Sequence, residues 1–183
     1  MTLDLERRRK FEAITDEVYE PLQRYLRRRA AHDDADELLD DVLLTVWRRL
    51  PDVPHEAALP WCYGVARRAL ANRRRSQRRH LNLVARLAAQ PPPGPGFDDT
   101  GSDEHPSLAA ALNRLPEADR EVLRLWAWEQ LEPREIAVVL GSTPNAVSLR
   151  LSRAKKKLAD DLGRQDRVDA GHKGIENTGE HAS

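Results

Sequence analysis

The sequence predicts an all-α protein made of two small helical modules joined by a flexible linker. Three observations carry this. Apolar residues recur at helical spacing, and no stretch alternates with the period of two that a half-buried strand needs. Ala, Leu and Arg dominate, aromatics make up only 5% of the 183 residues, and such a composition favours helix. Finally, residues 91–106 read PPPGPGFDDTGSDEHP, where prolines stiffen, glycines loosen and no apolar face exists to fold. The chain therefore divides into a module at 5–89, an acidic linker at 90–106, a module at 107–163, and a polar tail at 164–183 expected to be disordered.

The N-terminal module reads as three longer helices. Phe11, Ile14, Val18, Leu22, Tyr25 and Leu26 hold helical spacing in the first. The second begins after Asp33, Asp34 and Asp36, whose charges suit a helix N-terminus. Its core side is Leu38, Leu39, Val42, Leu43, Val46 and Trp47, while Asp40 and Asp41 carry negative charge outward. The three prolines of PDVPHEAALP make 51–60 a loop. A third helix starts near Trp61, with Val65, Ala66, Ala69 and Leu70 inward and arginines outward.

The C-terminal module opens with a helix near 107–115 and a second from Glu117, entered through Leu115-Pro116. Residues 130–158, QLEPREIAVVLGSTPNAVSLRLSRAKKKL, then spell out a helix-turn-helix. Pro133 suits the first helical position, where a missing N–H costs nothing. Ile136, Ala137 and Leu140 form an apolar stripe, and Gly141 stands where a left-handed residue ends the helix. Thr143 is a good N-cap and Pro144 a good first residue for the next helix. Val147, Leu151, Ala154 and Leu158 make one buried face of that helix. Asn145, Ser148, Leu149 and Ser152 share another, flanked by Arg150, Arg153, Lys155, Lys156 and Lys157. Side chains on such a face can enter a major groove while cations reach phosphates on either side.

The net charge of zero conceals a segregation. Residues 1–89 carry a net +4, 90–106 a net −4, 107–163 +1 and the tail −1. No acid occurs between Ala57 and Phe97, and Arg67, Arg68, Arg73, Arg74, Arg75, Arg78, Arg79 and Arg86 sit in that gap. Mixed signs would serve solubility better; one sign is suited to a polyanion. No apolar stretch approaches the ~20 residues of a membrane span, and the N-terminus lacks the apolar segment of a secretory signal. The lone Cys62 excludes an internal disulfide and fits a reducing, cytoplasmic setting; between Trp61 and Tyr63 it reads most simply as core. His32 with Asp33, Asp34 and Asp36 is better explained as a dipole-complementing helix start than as a metal site. No catalytic set, phosphate loop, paired metal ligands or cofactor signature emerges, so the sequence reads as a non-enzyme.

Taken together, DADELLDDVLLTVWRRL, PWCYGVARRALANRRRSQRR and LNRLPEADREVLRLWAWEQLEPREIAVVLGSTPNAVSLRLSRAKKKL, in this order, resemble the extracytoplasmic-function group of bacterial RNA polymerase sigma factors. The resemblance covers about 150 residues and implies a region two, a linker and a region four. It implies that Asp36, Glu37, Asp40 and Asp41 dock on a coiled-coil of the largest subunit of core RNA polymerase, giving steering more than affinity. It implies that the third helix reads and helps open the −10 element of promoter DNA. Arg67, Arg68, Asn72, Arg73, Arg74, Arg75, Arg78 and Arg79 would do this with His55 and Glu56 of the preceding loop, while Trp61 and Tyr63 are candidates to stack on a base. For Trp61 the competing reading is a place in the core. The recognition helix would read the −35 element. An anti-sigma factor, commonly membrane-bound in this family, would hold the protein inactive; no small-molecule substrate is implied.

The chain also departs from the family pattern. Where many members carry Lys or Arg it has Ser148, and where they carry a small polar residue it has Leu149; Arg68 and Asn72 stand where Asn and Asp are common. The loop at 51–60 lacks the usual aromatic-Arg-Gly pattern. Base readout should therefore lean on contact with thymine methyls and on DNA shape. Two rival classes are a stand-alone helix-turn-helix regulator and an enzyme acting on nucleic acid. The first module offers no sensor or receiver signature for the former, and clustered catalytic residues are missing for the latter.

Overall fold

The computed structural model of the chain describes residues 2–87 and 106–173, and every regular element among them is helical. The expected linker lies outside the described residues as far as 105, Pro106 being the first residue of a helix; of the expected tail, 174–183 also lie outside them.

The first module packs α1 (Thr2–Arg27), α2 (His32–Arg48) and α3 (Ala58–Leu87) against one another pairwise. Val18, Leu22, Leu26, Val42, Val46, Cys62 and Ala66 are fully buried between them. Burial, with Glu17 adding to it, pushes the Cys62 thiol up to about 12, which makes it an inert core group. At the open end, Phe11 meets Trp47 edge-to-face at 5.2 Å, and Arg7 lies over the indole while donating to the Trp47 carbonyl at 2.9 Å. Two boundaries differ from expectation. Asp33 and Asp34 lie inside the first turn of α2 rather than ahead of it, where they still complement the helix dipole. The loop at 51–60 holds two short 3₁₀ turns, Leu50–Asp52 and His55–Ala57, and α3 begins at Ala58. Pro60 fits there because the first turn of a helix has no use for its missing N–H.

The second module comprises α4 (Pro106–Arg114), α5 (Glu117–Ala127), α6 (Pro133–Leu140) and α7 (Pro144–Lys173), with α7 packed on the other three. The buried Arg120 guanidinium donates to the Asn113 and Leu115 carbonyls at 3.1 and 3.0 Å, satisfying acceptors left over at the end of α4. The last helix runs past 163, where the module was expected to end. There Asp161 accepts hydrogen bonds from Arg114 at 2.7 Å and Arg164 at 3.1 Å, tying the helix to α4 and reinforcing its next turn.

The modules do not stand apart: their apolar residues form one continuous core, with α6 lying along α3. Gly64 eases that approach, since a Cβ there would meet the Val139 carbonyl oxygen at 3.3 Å, tighter than an ordinary contact. A buried ion cluster closes the junction. Arg29 donates to Glu129 at 2.9 Å, Arg28 donates to the other carboxylate oxygen, and the side chains of Arg29 and Glu129 are only 3% and 2% exposed. Beside them the Tyr25 hydroxyl donates to Glu121 at 3.3 Å. Burial opposes the charge on Arg29, but Tyr25, Glu121 and Glu129 outweigh it and raise its pKa.

Glu129→Gln removes the carboxylate that compensates two guanidinia. Leaving a charge buried without its partner typically destabilises by about 3–5 kcal/mol. Here the modules can part instead and let Arg29 hydrate. The expected outcome is a larger radius of gyration by small-angle scattering with unchanged helicity by circular dichroism; an unaltered radius would show that the cluster does not hold the modules together.

Candidate nucleic-acid interface

The helix-turn-helix has the local chemistry its sequence dictates. Glu132 and Glu135 form a reciprocal capping box at the start of α6, with Pro133 in the first turn. Gly141 is left-handed at φ 63°, and Ser142 N–H donates to the Ala137 carbonyl at 2.9 Å, so the turn closes as a Schellman motif. The Thr143 hydroxyl accepts from Ala146 N–H at 3.3 Å, fixing the start of α7. Val147, Leu151 and Ala154 anchor α7 in the core. That leaves Asn145, Ser148, Leu149, Ser152 and Arg153 exposed, Leu149 by 51%.

The flanking cations are not equivalent. Asp119 of α5 receives Lys157 at 2.7 Å and lies 3.7 Å from Arg150, so both are already neutralised within the module. Lys155 stands over the exposed Trp126 ring at 3.3 Å. Among the described residues, Arg153 and Lys156 have no such partner and remain available for phosphates. Ser148 turns its hydroxyl back onto the Pro144 carbonyl at 2.9 Å, which occupies its donor.

Sorting the arginine-rich face of α3 gives a similar division. Arg73 is held by Asp34 and by Glu37 at 2.9 Å, both on α2. Arg74 donates to the Arg29 carbonyl at 3.2 Å, and Arg75 to the Asn72 amide oxygen at 2.5 Å. Arg67, Arg68, Arg78 and Arg79 are exposed and, among the described residues, lack a carboxylate partner. His55 and Glu56 lie exposed on the second 3₁₀ turn. Of the two aromatic candidates, Tyr63 does not fit base stacking: it is 2% exposed, its ring lies against Tyr25 at 4.9 Å, and burial raises its pKa. Trp61 is half-buried against the core beneath the Arg49 guanidinium at 5.5 Å.

On α2, Asp36 is 3.6 Å from Arg27 and Glu37 is bound to Arg73. Asp40 and Asp41 are exposed without an ion-pair partner among the described residues. One turn further on, Leu44 is 45% exposed, an apolar residue within an acidic surface. Sequence reading missed Leu44, although it falls outside the helix's core periodicity. It also missed Arg28, Arg29 and Glu129, whose pairing spans about a hundred residues and leaves no local signal.

Both modules match known families. Residues 14–88 match the Sigma-70 region 2 model, and residues 106–158 match Sigma-70, region 4. Among curated relatives, the probable RNA polymerase sigma factor RfaY of Xanthomonas campestris is 27% identical over 135 residues, which cover 70% of this chain and 34% of that protein. The chain thus spans about a third of that relative's length. RNA polymerase sigma factor CnrH of Cupriavidus metallidurans is 29% identical over 69% of this chain and 72% of its own. The ECF RNA polymerase sigma factor EcfG of Rhodopseudomonas palustris is 26% identical over 75% and 81% respectively. Two solved structures share the fold. CnrH in complex with the cytosolic domain of CnrY has a TM-score of 0.56 at 23% identity, covering 86% of this chain and 90% of that one. The sigma factor RpoE in complex with the anti-sigma factor NepR, from Bartonella quintana, has a TM-score of 0.53 at 19% identity, covering 88% and 97%. With Sigma-70 region 2 matched over 14–88 and region 4 over 106–158, this chain belongs to the extracytoplasmic-function group of RNA polymerase sigma factors.

Proposed function

We propose that this chain binds core RNA polymerase and directs promoter-specific initiation, with α7 reading a −35 duplex and α3 holding the opened −10 element. One observation supports the reading: a single chain exposes two separate faces with the polar and cationic chemistry that suits nucleic acid, Asn145, Leu149, Ser152 and Arg153 on α7 and Arg67, Arg68, Arg78 and Arg79 on α3. The exposed Asp40, Asp41 and Leu44 form the polymerase-docking surface. The protein contributes positioning and charge rather than chemistry of its own, and works in the cytoplasm.

The closed arrangement is not the promoter-reading one. Elements named −35 and −10 lie roughly 25 base pairs apart, about 85 Å along B-form DNA. A compact chain of this length is only ~40 Å across. The 18 residues from 88 to 105 reach ~60 Å when extended, enough to let the modules part. An anti-sigma protein, of the kind bound to the similar solved sigma factor RpoE, would act by keeping them together.

Transcription reconstituted from core polymerase, this chain and a library of two-part promoters tests the reading. Start sites should depend on both protein and core. Tight duplex binding by the free chain with no effect on core would favour a stand-alone regulator instead. Asp40→Lys with Asp41→Lys should weaken core binding at least tenfold while leaving binding of −35 duplex unchanged; parallel loss of both would indicate misfolding.

For the recognition helix, Arg153→Ala should lower affinity for −35 duplex and reduce the slope of log K against log salt by about one, as expected for one lost phosphate contact. Ser148→Ala, whose hydroxyl is already bonded within the helix, should change affinity less than twofold. A salt slope unaffected by Arg153→Ala would remove that residue from the phosphate set.

A further inference from the structure

Two cations of α7 are held by a carboxylate of the same chain. Arg150 and Lys157 stand two turns apart, ~10.5 Å at 1.5 Å per residue, along the edge of the helix that faces α5. Asp119, in the first turn of α5, serves both. One of its oxygens accepts from the Lys157 ammonium at 2.7 Å, and the other lies 3.7 Å from Arg150 Nε. The Asp119 side chain is 13% exposed, whereas those of Arg150 and Lys157 are 49% and 54% exposed. The cations can therefore swing outward to a phosphate, but the acid cannot follow them into water. Its unpaired charge would stay behind, largely desolvated, and that cost offsets much of what the new contact contributes. Glu117 makes a contrast. It lies in the same helical turn, equally suited to the helix dipole, yet it is exposed and forms no ion pair with α7 among the described residues.

We propose that Asp119 is a specificity-determining residue, an internal stand-in for phosphate that keeps Arg150 and Lys157 from adding sequence-independent grip to α7. The proposal rests on the reading in which α7 meets a −35 duplex. Of the five cations flanking its exposed face, Arg153 and Lys156 are then left for the DNA backbone, Lys155 being held over Trp126. On a matching duplex, base contacts by Asn145 and Leu149 fix the register of the helix, so Arg150 and Lys157 have little freedom to seek other phosphates. On any other duplex no register is preferred, and each released cation adds a phosphate contact. Masking two of them therefore lowers binding to unmatched DNA more than binding to the matched site. The difference matters because a site competes with every other stretch of duplex present, and the ratio of the two affinities decides its occupancy.

The test uses the full chain, a duplex of random sequence, and a −35 duplex taken from the promoters that reconstituted transcription selects. At ~0.15 M salt, Asp119→Asn should raise affinity for the random duplex about tenfold. It should also steepen the slope of log K against log salt by between about one and two, as one or two phosphate contacts are gained. Affinity for the −35 duplex should rise no more than about threefold, so the ratio of the two falls. Misfolding does not produce such a gain. Glu117→Gln removes the same charge from the same turn and should leave both affinities within about twofold. Lys157→Gln should cost about fivefold more affinity for random duplex in the Asp119→Asn chain than in the otherwise unaltered one, because only there is the ammonium released. An unchanged salt slope in Asp119→Asn, an equal rise on both duplexes, or an equal effect of Lys157→Gln in the two backgrounds would overturn the proposal. The random-duplex measurements need neither polymerase nor promoter. Failure to select any promoter therefore overturns the initiation reading, whereas failure of the random-duplex measurements overturns this proposal alone.

Discussion

One guanidinium and one carboxylate, Arg29 and Glu129, removed from water at the meeting point of α1, α3 and the second module, with the partly exposed Arg28 at their edge, set the arrangement of the whole molecule. Arg29 is its centre: it binds Glu129, rests 3.8 Å over the Tyr25 ring, and offers its carbonyl to Arg74 of α3. Glu129 follows α5 and precedes α6, so anchoring it fixes how α6 lies along α3 and places Val139 against Gly64. A buried ion pair brings large attractions against a large desolvation penalty, and the net is small beside apolar packing of the same volume. Such a junction specifies geometry strongly while adding little to stability. That combination suits an interface that has to open.

The same economy of charge runs through the functional faces. Arg73 joins α3 to α2 through Asp34 and Glu37; Arg150 and Lys157 join α7 to α5 through Asp119. The basic stretch seen in the sequence is therefore partly internal scaffold. What it presents outward is a subset, chiefly Arg67, Arg68, Arg78 and Arg79 on α3 and Arg153 and Lys156 on α7. Position within a helix alone does not separate the two groups; what separates them is whether a carboxylate on a neighbouring helix lies within reach.

How much of this is legible in the chain follows the range of the interaction. Pro133, Gly141, Thr143 and Pro144 answer to backbone rules that act within four residues, and the helix-turn-helix they imply is present as read. Tyr63 illustrates a signal overridden by a competing idea. It shares helical spacing with the inward Ala66 and Leu70, which places it in the core, yet its neighbouring arginines suggest a base-stacking role. The contact of the modules is different in kind. Arg28 and Arg29 sit in a run of arginines and Glu129 in an unremarked turn, and nothing local pairs them. The extra length of α7 also depends on a distant residue, Arg114, meeting Asp161.

Asp119 has a further consequence, in time rather than energy. A phosphate reaching Arg150 or Lys157 has to displace a carboxylate already in place, so that exchange yields little net attraction. Sequence-independent grip on DNA comes from such phosphate contacts. A recognition helix whose cations are half occupied at home therefore lets go of the wrong duplex quickly. In the proposed role, its dwell time lengthens only where the bases facing Asn145 and Leu149 contribute as well, so the search is discriminated by how soon the protein leaves.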